Sequence, residues 1–372
     1  MREGRWDILR GVPPFRGKQR GVEAGGAFNN HNVGKLGVTI NTRTERGREL
    51  LGRLIAASDV VTENFSAGVM EKWGFSFERM RELRADIIYV SNCGFGHSGP
   101  YREFRTWGPL VQAMCGLTWS VGLADEPPAG FGYSYMDHHG ANFMVFAILA
   151  ALHNRERTGD GQWIDMATFE TGTSLLGPNV LDATVNGRAF RRPGMPASNR
   201  GHCPPMAPHG IYRAAGDDAW VAIACRDDAD WRALTTVLDD GWVTEARWST
   251  LAGRRGDEDE LDQLITAWTT AQDKFGVQAR LLAAGVPCAA VQTPPERIEQ
   301  DGSTAAWGLW PESHHPQIGT VRVDGIPVHL SDTDWRIHDG APTLGQHNHD
   351  VFTRVLGLHP EEVDALERDG HV

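Results

Sequence analysis

Hydrophobic positions recur with a helical period in some stretches of the chain and with a strand period in others. In "TRTERGRELLGRLIAAS", Leu50, Leu51, Leu54 and Ile55 share one helical face, and Thr44 stands where an N-cap is expected. "DVVTEN" (59–64) then predicts a short strand, "SAGVMEKWGFSFERMREL" a helix, and "DIIYVSNCG" (86–94) a buried strand. Strand, helix and strand in so short a span form a βαβ unit, which predicts an α/β fold with a parallel sheet covered by helices on both faces. Ligands of such open sheets gather at the carboxyl ends of the strands. That rule directs attention to "ENFSAG" (63–68) and "NCGFGHSGPY" (92–101).

Further along, the apolar run "GANFMVFAILAAL" (140–152) predicts a buried helix, followed by a polar turn (154–162) and the alternating "WIDMAT". Residues 187–210, rich in Gly, Pro and Arg, predict a linker or long loop. "GIYRAAGDDAWVAIAC" (210–225) predicts a β-hairpin. Helical patterns follow at 228–238, 257–271 and 273–284, then a strand at 288–292. Together these make a smaller α+β domain. The tail predicts two short helices split at Leu358-His359-Pro360.

Composition narrows the function. The length of 372 residues suggests two domains, and the 41% apolar fraction suits a globular protein. A formal charge of −12 speaks against a general nucleic-acid binder, so an anionic ligand needs a local basic pocket. Cys93, Cys115, Cys203, Cys225 and Cys288 are scattered and form no CxxC pair, which fits reduced thiols better than a disulfide framework or a zinc site. The N-terminus lacks the apolar core of a signal peptide, and the longest apolar run is too short to span a bilayer. The expectation is a cytoplasmic protein without a membrane or nucleic-acid partner.

The candidate chemistry centres on "YMDHHGANFM" (135–144). Asp137 precedes the apolar helix and suits an N-cap, yet a nucleophilic carboxylate would want the same place. Local sequence leaves both readings open. His138 and His139 are adjacent and have no partner at ligand spacing, so no metal site is expected; His138, His139 and the pair His314-His315 are expected as surface or loop histidines. "GFGHSGPY" (94–101) lacks the context of a dinucleotide fingerprint because Pro100 blocks a following helix, and a turn-rich loop is expected there. Lys72 and Arg105 carry charge that is solvated in most such positions. No nucleophile elbow, Walker loop or HExxH is present.

Several stretches, in order, resemble the family III CoA-transferases, the group of formyl-CoA and carnitine CoA-transferases and the related α-methylacyl-CoA racemases. They are "NNHNVGKLGVTINTRTERGRELLGRLIAASDVVTENFSAGVMEKWGF", "YVSNCGFGHSGPY", "AILAALHNRERTGDGQWIDMATFE", "LLAAGVPCAAV" and "LGQHNHDVF". The resemblance implies a Rossmann-like large domain over 1–195, completed by the C-terminal segment 320–372. It also implies a small α+β domain over 205–315 and an interlocked homodimer. It places the catalytic aspartate at Asp137, residues near the CoA thioester and pantetheine at Asn64 and Phe65, and CoA-contacting basic positions at Lys72 and Arg105. CoA enters as substrate, as acyl-CoA, rather than as a resident cofactor. The implied activity moves CoA from an acyl-CoA donor to a small carboxylic acid through an aspartyl mixed anhydride and an aspartyl-CoA thioester.

Two other functions stay open at this point. The racemase branch adds a histidine acid/base at the position of Trp107, and an indole exchanges no proton at neutral pH, although His138 or His139 can substitute. Trp107 is otherwise expected to pack in the core. A non-catalytic CoA-binding or structural homologue is the third reading, because the first strand and helix of the family's sheet have no counterpart at the N-terminus. The glycine-rich loop of formyl-CoA transferase has none either; the matching region is about 195–210.

Overall fold

Thr44 accepts the Gly47 N–H and starts the helix Glu45–Ala57 as its spacing requires, with Leu50 and Ile55 on the buried side. The computed structural model describes residues 6–122, 126–189, 199–201 and 203–372. Part of the linker expected over 187–210 lies outside the described residues. The described residues include the helices α1 (Gly26–His31), α2 (Glu45–Ala57), α3 (Val69–Lys72), α4 (Phe77–Leu83), α5 (Gly108–Met114) and α6 (Tyr135–Thr158). They continue with α7 (Asp228–Leu238), α8 (Leu251–Gly256), α9 (Glu258–Thr270), α10 (Lys274–Ala283), α11 (Asn348–Arg354) and α12 (Pro360–Arg368).

The chain divides into two units: residues 1–111, 134–171 and 297–372 form the first, and 112–133 with 172–296 the second. The first holds a parallel sheet in the order β1-β2-β3: β1 (Val60–Glu63), β2 (Ile88–Cys93) and β3 (Trp163–Ala167). Alternate residues of β2 and of the residue before it face opposite ways. Ile88 and Val90 pack with Met144, Ala147, Ile148 and Ala151 of α6, whereas Ile87 and Tyr89 pack with Met70, Phe75, Met80 and Ile55. Helices therefore cover both faces. The helix expected between β1 and β2 is broken in two: Gly74 takes φ +92°, and Ser76 starts α4 by accepting the Arg79 N–H.

At the amino ends of the strands, Arg155 of α6 donates from Nη1 to the carbonyls of Asp59 (3.2 Å) and Asp86 (3.3 Å). Its Nη2 also reaches the Asp59 carboxylate at 3.2 Å. The tail helices α11 and α12 close over α2, where Val351, Phe352, Leu358, Val363 and Leu366 surround Leu50. Residues 312–322 form an antiparallel hairpin, β7 (Glu312–His315) with β8 (Gly319–Arg322). His315, expected at the surface, is 1% exposed instead, and its Nδ1 accepts the Gln317 and Ile318 N–H groups at 3.2 and 3.3 Å.

In the second unit, β4 (His209–Arg213), β5 (Trp220–Ala224) and β6 (Cys288–Ala290) form an antiparallel sheet in that order. Val221 and Ile223 face a core with Trp231 and Leu234 of α7, Leu261 and Ile265 of α9, Val277 and Leu281 of α10, and Trp248. Buried within this unit, Arg254 of α8 donates to the carbonyls of Ala207 (2.7 Å) and Trp248 (3.0 Å) and to Asp228 Oδ1 (2.7 Å).

Candidate active site

The carboxyl edge of the parallel sheet collects the polar side chains. Glu63 ends β1 with a side chain 4% exposed. Its Oε2 accepts the Phe65 N–H at 2.6 Å, and its Oε1 accepts the Tyr89 hydroxyl of β2 at 3.0 Å. His97 Nε2 lies 3.4 Å from the same Oε1. Burial pushes the Glu63 carboxyl above its ordinary range; the bonds from Phe65 and Tyr89 and the proximity of His97 pull the other way. Glu63 thus ties down the turn that carries Asn64 and Phe65, both exposed, with Phe65 edge-on to Trp73 at 5.2 Å.

This network makes a testable contrast. Glu63→Gln keeps the shape and one acceptor, and the Tyr89 hydroxyl can turn to accept from the new amide, so a stability change under about 1 kcal/mol is expected. Glu63→Ala strands the Phe65 N–H and the Tyr89 hydroxyl and is expected to cost about 2–4 kcal/mol in urea unfolding. Equal losses in the two variants would show that the hydrogen bonds do not hold this turn.

After β2 the chain turns through Gly96 (φ +79°) and Gly99 (φ +82°), the turn-rich loop expected at 94–101. The His97 N–H donates to Asp165 Oδ1 of β3 at 2.8 Å, and Phe95 packs on Tyr101, Phe104 and Phe169. At the end of β3, the Thr168 hydroxyl donates to Asn92 Oδ1 at 2.9 Å. Gly140 of α6 sits against both side chains: a Cβ there would lie 3.0 Å from Thr168 Cγ2 and 3.6 Å from Asn92 Nδ2. The first turn of α6 is thereby held at the carboxyl edge of the sheet.

Asp137 lies in that first turn. α6 starts five residues before the apolar run, so Ser134 and not Asp137 is the N-cap, and Ser134 makes no side-chain capping bond. The capping reading of Asp137 is corrected accordingly. Asp137 is exposed in part, yet the protein around its carboxyl desolvates it and raises its pKa; its own N–H and nearby His138 oppose the shift. Desolvation outweighs the helix end in setting the direction of the shift. Gly108, the first residue of α5, borders the carboxylate so closely that any Cβ there would overlap Oδ2. That glycine leaves the space Asp137 occupies.

His138 and His139 are half-buried on this turn rather than in a loop. His138 faces His31, the last residue of α1, with ring centroids 5.2 Å apart. His139 Nε2 lies 3.1 Å from the Thr171 carbonyl. Trp107, for which core packing was expected, is 67% exposed. Lys72 ends α3 and Arg105 precedes α5 by three residues; both are exposed, and neither side chain makes a hydrogen bond or ion pair among the described residues. Arg105, Trp107, Gly108 and Asp137 are brought near one another by the Gly108 contact, and Asn64 and Phe65 leave the same edge of the sheet from β1.

His31 and Gly108 were not legible as site residues, since the contact of His31 with His138 and of Gly108 with Asp137 runs through space between distant segments. Glu63 had a signal: it directly precedes Asn64 at the end of a predicted strand.

The CoA-transferase family III model matches residues 2–348. The chain is 31% identical to the succinyl-CoA–D-citramalate CoA-transferase of Chloroflexus aurantiacus, over 90% of this chain and 81% of that protein. It is also 31% identical to the formyl-CoA:oxalate CoA-transferase of Streptomyces coelicolor, over 91% and 84%. The crystal structure of a CAIB/BAIF family protein from Brucella suis superposes with a TM-score of 0.84 at 29% identity, covering 94% of this chain and 89% of that one. With the α/β fold and parallel sheet in place and relatives matched over most of both lengths, the chain belongs to CoA-transferase family III and is an enzyme of CoA-transferase type.

Proposed function

We propose that this enzyme moves CoA from an acyl-CoA donor to a carboxylic acid acceptor through covalent catalysis by Asp137. The observation that carries this reading is an aspartate at the carboxyl edge of the sheet, in the first turn of α6, where the missing side chain of Gly108 makes room for its carboxylate. The carboxylate attacks the thioester carbonyl; the C–S bond breaks, CoA leaves as thiolate, and an aspartyl mixed anhydride forms. The thiolate attacks the aspartyl carbonyl, releasing the donor acid and leaving an aspartyl-CoA thioester. The acceptor carboxylate attacks that thioester to form a second anhydride and free thiolate. Attack of the thiolate on the acceptor's acyl carbon then gives the new acyl-CoA and restores Asp137. Every step exchanges a carboxylate for a thiolate, so no net proton is required.

In this reading Asn64 and Phe65 flank the thioester and pantetheine, held in place by Glu63, while Lys72 and Arg105 meet the CoA phosphates. Two exposed cations without ion-pair or hydrogen-bond partners among the described residues, in a chain of charge −12, support that assignment. The enzyme acts as a homodimer. Phe143, Val145, Phe146 and Leu149 of α6 support this, since they are exposed to between 39% and 73% on the side of the helix away from its buried face. A cytoplasmic location belongs to the same reading, supported by five free cysteines; no helix among the described residues is long and apolar enough to cross a membrane.

Incubation with a competent acyl-CoA followed by hydroxylamine is expected to convert Asp137 to a hydroxamate, read by mass spectrometry of its peptide. Labelling elsewhere, or none across a broad acyl-CoA panel, would remove Asp137 as nucleophile. A racemase reading is favoured by one observation, the imidazole of His138 next to Asp137, with the His31 ring against it. Solvent deuterium entering the α-position of a chiral acyl-CoA without an acceptor acid would decide for it.

A further inference from the structure

We infer that His97 is a positioning residue for CoA: its imidazole sets a cationic partner against the Glu63 carboxylate and thereby holds the turn of Asn64 and Phe65. This role rests on the proposed placement of that turn beside the thioester and pantetheine. His97 takes no part in the transfer steps, yet its side chain is 3% exposed and stands at the carboxyl edge of the sheet. Among the described residues neither ring nitrogen has a hydrogen-bond partner, and the approach of Nε2 to Glu63 Oε1 at 3.4 Å is the only polar contact of the ring. A buried imidazole without hydrogen bonds is costly, and the contact with the carboxylate is most favourable when the ring is protonated.

The ring does not owe its place to Glu63. The His97 N–H donates to Asp165 Oδ1 at 2.8 Å, Gly96 turns the chain just before it, and the Trp163 ring stands 6.4 Å away at 78°. Glu63 in turn meets donors: the Phe65 N–H at Oε2, and the Tyr89 hydroxyl and His97 at Oε1. Tyr89 keeps its proton, since burial and the adjacent carboxylate both raise its pKa.

The other ionisable groups around the pair are Glu71 of α3, Tyr89 and Cys93 of β2, and Asp165 of β3. Of all these, His97 alone can be a cation. Burial and Glu71 drive the Glu63 carboxyl toward its neutral form, and His97 opposes them. A neutral carboxyl holds the Phe65 N–H less well, because a hydrogen bond to an ionised group is roughly twice as strong. Without His97, Glu63 takes up its proton at a higher pH, and the turn loosens from that pH downward.

The alternative is that the imidazole only fills space. Kinetics at two pH values separates the two roles. With one acyl-CoA donor at about pH 6.5, His97→Leu is expected to raise KM about tenfold while kcat stays within about twofold. At about pH 8.5 the rise in KM should shrink to less than about threefold, because Glu63 then ionises without help. His97→Gln fills the space and donates an N–H but carries no charge. Its KM should lie between those of His97→Leu and wild type with the same pH dependence, and it carries the test if the Leu variant does not fold. In Glu63→Gln, whose amide does not titrate, adding His97→Leu should change KM by less than about twofold. A loss equal at both pH values, or one that persists in Glu63→Gln, would mean a space-filling role and overturn the inference.

Calorimetric titration with CoA itself makes the test independent of turnover. The affinity should fall in His97→Leu at the lower pH; an unchanged affinity would sink the inference. Phe65→Ala separates this role from the reading beneath it. If that variant leaves KM for acyl-CoA unchanged, the turn is not at the thioester and both fall. If it raises KM and His97→Leu does not, only the role of His97 falls. If CoA affinity follows His97 while hydroxylamine fails to trap Asp137, the positioning stands and the nucleophile assignment falls.

Discussion

Asp137→Asn is expected to lower kcat for CoA transfer by about a thousandfold or more, with no comparable loss of stability. The amide preserves volume and the contact with Gly108, but it supplies no anionic oxygen to attack a thioester. Stability should move by less than about 1 kcal/mol, because the carboxylate makes no ion pair among the described residues and is partly desolvated. The raised pKa also sets the pH profile. The nucleophile must be ionised, so kcat/KM should fall as pH drops through a value above the ordinary aspartate range, and this limb should vanish from any residual activity of the Asn variant. Retention of more than about a tenth of wild-type kcat by a folded Asn variant would be incompatible with covalent catalysis here.

Arg254→Ala should destabilise the second unit by about 3–5 kcal/mol, the largest stability loss expected from a single side chain. The guanidinium is fully buried and lies over Trp231 at 5.1 Å. Its truncation leaves the Ala207 and Trp248 carbonyls without their donor and opens a cavity in the helical core. The bond to Asp228 contributes less, since that carboxylate is 52% exposed and remains hydrated when released. Urea unfolding should be followed by near-UV circular dichroism and by hydrogen exchange at β4 to β6, since two units need not melt as one. A loss below about 1 kcal/mol would mean that water replaces the guanidinium at those carbonyls.

What the sequence makes legible follows the range of each interaction. α2 was readable to its cap because Thr44 and the spacing of Leu50 and Ile55 act within a few residues. The parallel order of β1 and β2, the antiparallel β4 and β5, and the split between α11 and α12 were readable for the same reason. The start of α6 was not, because Tyr135 to His139 lack apolar periodicity and are held by the meeting of Gly140 with Thr168 and Asn92. His315 looked like a surface residue, and its burial depends on a hairpin with no strong turn signal. Asp137 was found through its place before an apolar helix and through resemblance. Gly108 reaches it, and His31 reaches the neighbouring His138, only through the fold.

The proposed nucleophile sits at one end of a 24-residue rod whose other end is bolted down. Arg155 stands about five turns along α6 from Asp137, roughly 27 Å at the usual helical rise, and clamps the helix to the segments that enter β1 and β2. A tilt of one degree about that clamp would carry the carboxylate sideways by roughly 0.5 Å, about the tolerance of a productive attack geometry. The aim of Asp137 is therefore set in part by an ion cluster on the far side of the sheet from the chemistry, where a charge-neutral change at Asp59 or Asp86 would act as a misalignment of the catalyst.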